Sequence, residues 1–198
     1  MSDAPEQPWT LRNAPWITFL GVAVAVAAFY SPSLTALLNY DRLRVAVNAE
    51  YWRVFTGNFV HFSGRELCWN IAVLIPAGVW AERLAPMRAR WLWLIAPLLV
   101  GLVVHGFLPD VAHFAGLSGM AAASVAFLAL LQLRTDSPDR WFWRAVLVLI
   151  GLKIGAEAVL ASRLMSPVPD PARRAEALIH LAGVCSGALT LTTRRRRR

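Results

Sequence analysis

The apolar positions of this chain gather into six long runs, at about residues 15–30, 67–83, 91–108, 111–133, 141–164 and 175–193. Each run predicts a helix long enough to cross ~30 Å of hydrocarbon, the second only narrowly. With no water to pair the backbone, a helix is the form such a run takes. No linker, low-complexity stretch or period of 20–50 residues breaks the series. Residues 1–198 therefore read as a single six-helix domain of an all-α membrane protein.

Composition agrees. Apolar residues make up 57% of the chain and charged residues 16%, and the mean hydropathy is +0.49. That is the composition of a membrane protein rather than of a soluble core. Of nine Trp, six (Trp16, Trp80, Trp91, Trp93, Trp141, Trp143) stand at the ends of apolar runs, as an interfacial belt would place them. Cys68 and Cys185 fall inside runs and read as small packing residues, not as a disulfide. The first run has only Arg12 before it as a positive charge, which favours an uncleaved helix over a signal peptide.

The net charge is +8, and Arg194–Arg198 supplies five of the positive charges. Directly after a transmembrane run, such a tail reads as a topology signal touching anionic lipid, rather than as a nucleic-acid site. With the N-terminus in the cytoplasm, inside segments hold Arg12, Arg83, Arg88, Arg90, Arg134, Arg140, Arg144 and the terminal five. Outside segments hold Arg42, Arg44, Arg53, Arg65, Arg163, Arg173 and Arg174. The positive-inside rule favours this arrangement, although the loop at about 31–66 carries four arginines against it.

In that orientation the second, fourth and sixth helices all start on the outer side. Asn70, Ser118 and His180 then lie roughly 6–10 Å below those starts at 1.5 Å per residue. Polar groups inside a bilayer are costly unless they act. A serine, a histidine and an amide donor at matched depth are the parts needed to cut a peptide bond with an activated serine. Ser118, Ala122 and Ala126, and Gly119 and Ala123, recur at four-residue spacing, and Gly183 and Gly187 repeat it on the sixth helix. Such faces let helices approach closely, and His180 lies on the thin face. The alternative is that these residues only pack. A Gly-x-Ser-x-Gly elbow is excluded because position 120 is Met and no strand precedes Ser118. No carboxylate stands out as an orienter of His180. Glu157 and Lys153, four apart on the fifth helix, read as a buried ion pair that locks it in preference to a catalytic role. His105 and His113 read as interfacial or loop residues. The lack of His-Glu-x-x-His argues against a membrane zinc protease and the lack of paired membrane aspartates against an aspartyl protease, and no metal or other cofactor is expected.

These residues resemble the rhomboid family of intramembrane serine proteases over nearly the whole chain. Trp52-Arg53, then His61-x4-Glu66-x3-Asn70, is similar to the family's Trp-Arg element and its His-x4-His-x3-Asn pattern. Gly116-Leu-Ser118-Gly119 is similar to the nucleophile motif, and His180-x-x-Gly183-x-x-x-Gly187 to the base-bearing helix. The resemblance implies a six-transmembrane-helix rhomboid-like bundle with Ser118 as nucleophile and His180 as general base. It implies Asn70 and the Ser118 N–H as oxyanion donors, and His61 as an anchor of the first loop; the residue-level alternative for His61 is a plain interfacial residue. Thr56–His61 and Gly151–Glu157 resemble the rhombosortase branch, which is thought to process C-terminal Gly-Gly sorting helices. Two positions depart from the pattern. Glu66 replaces the second histidine, and it supports an oxyanion only if burial keeps it protonated. Ala122 replaces the aromatic or histidine common four residues after the nucleophile.

The resulting expectation is a serine endopeptidase of the bacterial inner membrane, with both termini cytoplasmic and its site facing the periplasm. Its partners would be transmembrane protein substrates and lipid, with no nucleic acid. The competing expectation is a catalytically silent protein on the same scaffold that binds membrane clients. A small transporter lacks the inverted repeat or paired broken helices it would need.

Overall fold

A computed structural model describes residues 14–135, 138–160 and 171–192. The chain opens with α1 (Trp16–Tyr30), turns through 116°, and continues as α2 (Pro32–Leu38). A two-residue strand β1 (Tyr40–Asp41), α3 (Arg42–Asn48), α4 (Trp52–Thr56) and a 3₁₀ turn (Gly57–Phe59) follow. Then come α5 (Gly64–Leu84) and α6 (Pro86–Phe107). A second short strand, β2 (His113–Phe114), precedes α7 (Ser118–Leu133), α8 (Arg140–Leu160) and α9 (Pro171–Thr192). The strands pair antiparallel, Tyr40 with Phe114 and Asp41 with His113.

By length and composition, α6 and α9 (from Ala175) each qualify to cross a membrane alone, and α1 with α2 qualify as one bent pair. Helices α5 and α8 are 21 residues long but carry charges along their length, Glu66 and Glu82 on one, Lys153 and Glu157 on the other. Arg12, residues 161–164, residue 193 and the terminal arginines, invoked from the sequence for topology or span ends, lie outside the described residues.

The fourth run does not begin as a helix at 111. Residues 111–117 form turns and β2, and α7 starts at Ser118 itself. The reason is local. Gly116 has φ +134°, a conformation that L side chains avoid and that no helix continues through. The segment before it is stitched to β1 instead. Ser118 therefore stands at a helix N-terminus rather than two turns inside one. Sixteen residues span only ~24 Å, short of the ~30 Å hydrocarbon thickness.

The interval 31–66, read from sequence as a loop, folds into α2, α3, α4 and the 3₁₀ turn. Side-chain caps start two of them: Ser31 Oγ accepts the Leu34 N–H, and Asp41 Oδ1 accepts the Arg44 N–H at 3.1 Å. Two of the arginines that opposed the positive-inside count do structural work here. Arg42 donates to the carbonyls of Val104, His105, Leu108 and Val111 at 2.7–3.1 Å, closing the C-terminal end of α6. Arg53, fully buried, donates to the Ala36 and Asn39 carbonyls and to Glu50.

Helix α7 touches α5, α6, α8 and α9, and none of its residues is exposed. Met120, Ala123 and Phe127 join Leu67, Leu74, Leu92 and Trp93 in one core. Val100, Val104 and Ile179 join Tyr40, Val45 and Phe114 in a second core under the outer segment. At the opposite end, Glu82 Oε1 accepts both the N–H and the hydroxyl of Thr18, at 2.8 and 2.6 Å, joining α1 to α5. Cys68 and Cys185 are exposed and unbridged. They sit on outward faces, not in the interior expected of packing residues, because the inward positions of α5 and α9 are taken by the asparagine and the small residues that meet α7.

Candidate active site

The small-residue faces of α7 and α9 meet backbone to backbone. A Cβ on Gly183 would lie 2.2 Å from the Gly119 carbonyl oxygen, and one on Gly187 would lie 2.7 Å from that of Ala123. Only glycine permits this approach. His180 is one turn before Gly183 on α9, and Ser118 directly precedes Gly119 on α7. The two side chains consequently reach the same open cavity of about 920 Å³. Asn70 on α5 lines it too, as do Glu66, Lys153 and Glu157. Ser118 is half-buried, whereas Asn70 and His180 are buried. The sequence-predicted set thus comes together at one place, drawn from α5, α7 and α9.

The turn into Ser118 is held by His61. Its Nε2 accepts the Leu117 N–H at 3.2 Å and lies 3.1 Å from Asn70 Nδ2. Two donors on Nε2 put the ring proton on Nδ1. Burial holds the His61 pKa down to about 4, and the Phe59 backbone pushes weakly the other way without closing a hydrogen bond on Nδ1. The ring is therefore a neutral acceptor near neutral pH. It is buried and not interfacial, and it ties the first loop, Asn70 and the nucleophile turn to one atom. Asn70 keeps its second amide hydrogen for the cavity. The Ser118 N–H lies in the first helical turn, where N–H groups have no carbonyl one turn back. Both are available to a negative oxygen beside Ser118, and the positive end of the α7 dipole favours one there.

Glu66 stands at the cavity mouth in the first turn of α5. It is exposed, and a Cβ on Gly116 would meet its Oε1 at 2.6 Å. Ala122 leaves the wall one turn beyond Ser118 open. His113, exposed on β2, lines the same cavity, whereas His105 lies outside that lining, its Nδ1 2.9 Å from the Tyr40 hydroxyl. Among the described residues no cluster of ligands fit for a metal occurs.

One neighbour of His180 was not foreseen. Glu157 Oε2 lies 2.7 Å from His180 Nδ1, while its other oxygen meets Lys153 Nζ. The ion pair expected on α8 is present, but its lysine is exposed rather than buried, and the carboxylate also partners the histidine. The available signal was the placement of a charge pair on a helix whose remaining inward and outward positions are apolar.

Nine helices among the described residues, several of them long and apolar, define an all-α integral membrane protein. Residues 48–197, about three quarters of the chain, match the Rhomboid domain, and the chain belongs to the rhomboid family. That family is in general one of serine intramembrane proteases acting on transmembrane substrates. No curated protein matches the chain closely enough to be counted a relative.

Proposed function

We propose that this protein is a rhomboid-type serine endopeptidase that cleaves the transmembrane segment of membrane-anchored substrates. The observation that carries the reading is the opening of Ser118 and His180 into one cavity beside the Gly119–Gly183 backbone contact. In this reading His180 takes the Ser118 hydroxyl proton as the oxygen attacks the scissile carbonyl. Asn70 and the Ser118 N–H hold the oxyanion. His180 then returns the proton to the leaving amine, and water from the cavity resolves the acyl-enzyme. A scissile bond must leave its own helix to be attacked, so small, helix-weakening residues in the substrate favour cleavage. The open wall at Ala122 and the Thr56–His61 and Gly151–Glu157 segments support a rhombosortase-like preference for C-terminal Gly-Gly sorting helices.

The same reading takes α1, α5, α6, α7, α8 and α9 as six crossings of one domain over residues 1–198. Both termini are cytoplasmic and the cavity opens to the periplasmic side of a bacterial inner membrane. The use of Arg42 and Arg53 as caps of carbonyl groups removes much of the charge argument against that orientation.

A silent, client-binding protein is the second reading, favoured by the exposed Glu66 where the family pattern has histidine. The test is cleavage of a reconstituted model membrane substrate together with fluorophosphonate labelling. Wild type should cleave and label at Ser118, while Ser118→Ala and His180→Ala should each abolish cleavage. Folded wild type that neither cleaves nor labels would favour the silent reading.

A further inference from the structure

We propose that Glu157 is a positioning residue for His180, making the reactive group a Ser118–His180–Glu157 relay rather than a pair; this rests on the protease reading above. The carboxylate uses its two oxygens separately. Oε1 holds Lys153 one turn earlier on α8, and Oε2 lies 2.7 Å from His180 Nδ1 on α9. Both side chains are largely enclosed, at 17% and 11% exposure. Elsewhere α8 presents Val148, Leu149, Leu152 and Val159 outward. Lys153 and Glu157 line the cavity that holds Ser118, while the other charges of α8, Arg140 and Arg144, lie near its start. A charge pair inside a membrane helix is costly, and an i,i+4 pair needs no third partner.

The chemistry turns on the ring proton. Lys153 Nζ also lies 3.0 Å from His180 Nδ1 and 3.4 Å from its Nε2. An ammonium has only donors and a carboxylate only acceptors. If Lys153 donates to Nδ1, the ring proton moves to Nε2 and the imidazole cannot accept from Ser118. If Glu157 accepts from Nδ1, Nε2 is left as the base. Glu157 wins this competition, because its contact is the shorter one and Lys153 is already held by Oε1. When the Ser118 proton reaches Nε2, the imidazolium that forms lies against the Glu157 carboxylate. No group other than Ser118, His180, the substrate and the hydrolytic water exchanges a proton or a bond.

The experiment uses the purified full chain in proteoliposomes of phosphatidylcholine and phosphatidylglycerol. The probe is a fluorescent single transmembrane segment with Gly-Gly near its outer end, and fluorophosphonate labelling of Ser118 is followed in parallel. Glu157→Gln is expected to lower kcat by roughly 10⁴, the loss seen when a triad histidine loses its orienting carboxylate, with KM unchanged within about threefold. Adding Lys153→Met to Glu157→Gln removes the competing donor and should recover about tenfold or more. Glu157→Gln with kcat within about fivefold of wild type overturns the proposal, as does a loss confined to KM or one that Lys153→Met does not relieve. If Glu157→Gln fails to fold, the double variant is compared with Lys153→Met alone, and equal kcat overturns the proposal. Ser118→Ala runs beside them. Its activity would sink the underlying reading, whereas an inactive Ser118→Ala with an active Glu157→Gln sinks only the role of Glu157.

Discussion

Gly183 meets Gly119 so closely that a single added methyl group would lie 2.2 Å from a backbone oxygen. The separation of α7 and α9 is set there, next to the residues that must share a proton. Gly183→Ala is expected to force the helices apart, costing about 1–3 kcal/mol of stability and nearly all cleavage. Gly155 on α8 has open space where a side chain would begin, so Gly155→Ala should leave both unchanged. Thermal unfolding in detergent and cleavage of the model substrate check the pair. Full activity in Gly183→Ala would contradict the close-contact argument.

Asn70 has one amide hydrogen committed to His61 and one directed by position to the cavity. Asn70→Ala removes a neutral donor from a developing oxyanion, for which ~10²–10³ in kcat is typical. Steady-state cleavage is the measurement. A change confined to KM would move Asn70 from transition-state stabilisation to substrate binding.

His61 gives a pH dependence whose sign is fixed. The unfolded chain protonates this ring below its ordinary value of 6.5, whereas the folded protein resists until about 4. The contribution to stability is intact above the higher value and is lost as pH falls through that window. The unfolding temperature of wild type should therefore drop between about pH 7 and about pH 4.5 by more than that of His61→Gln. Parallel curves for the two proteins would remove His61 as the source.

Arg42 closes four carbonyls at the end of α6 and thereby fixes the segment that leads into Ser118. Arg42→Met takes this donor from the Val104, His105 and Val111 carbonyls, while the Leu108 carbonyl keeps the Val111 N–H. A loss of roughly 3 kcal/mol or more is expected, since each buried polar group without a partner costs about 1–3 kcal/mol. Denaturation in mixed micelles reads the loss, and slower fluorophosphonate labelling of Ser118 reports the displaced turn. Lysine offers one ammonium where a fork is needed, so Arg42→Lys should recover only part of both.

The long helices were legible because apolar runs of this length have few alternatives, and the glycine spacing on α7 and α9 already announced a close contact. The start of α7 was not legible. Val111, Ala112, Phe114 and Ala115 are apolar enough to extend the run, and only the pairing with β1 and the φ of Gly116 show that the helix has not begun. The small helices between 31 and 66 escaped notice because five to seven residues carry too little periodicity. Glu157 was seen and given half of its surroundings. The Lys153 spacing lies along one helix and can be counted, while the contact with His180 joins residues 23 apart and depends on how α8 packs against α9.

Since α5, α6, α8 and α9 all contact α7, and none of its residues is exposed, the nucleophile's helix offers little boundary to acyl chains. Hydrophobic mismatch tilts or strains helices that lipids touch, and here that load falls on the surrounding ring. Membranes of different thickness should thus alter how readily a client enters while leaving the chemical step itself nearly constant.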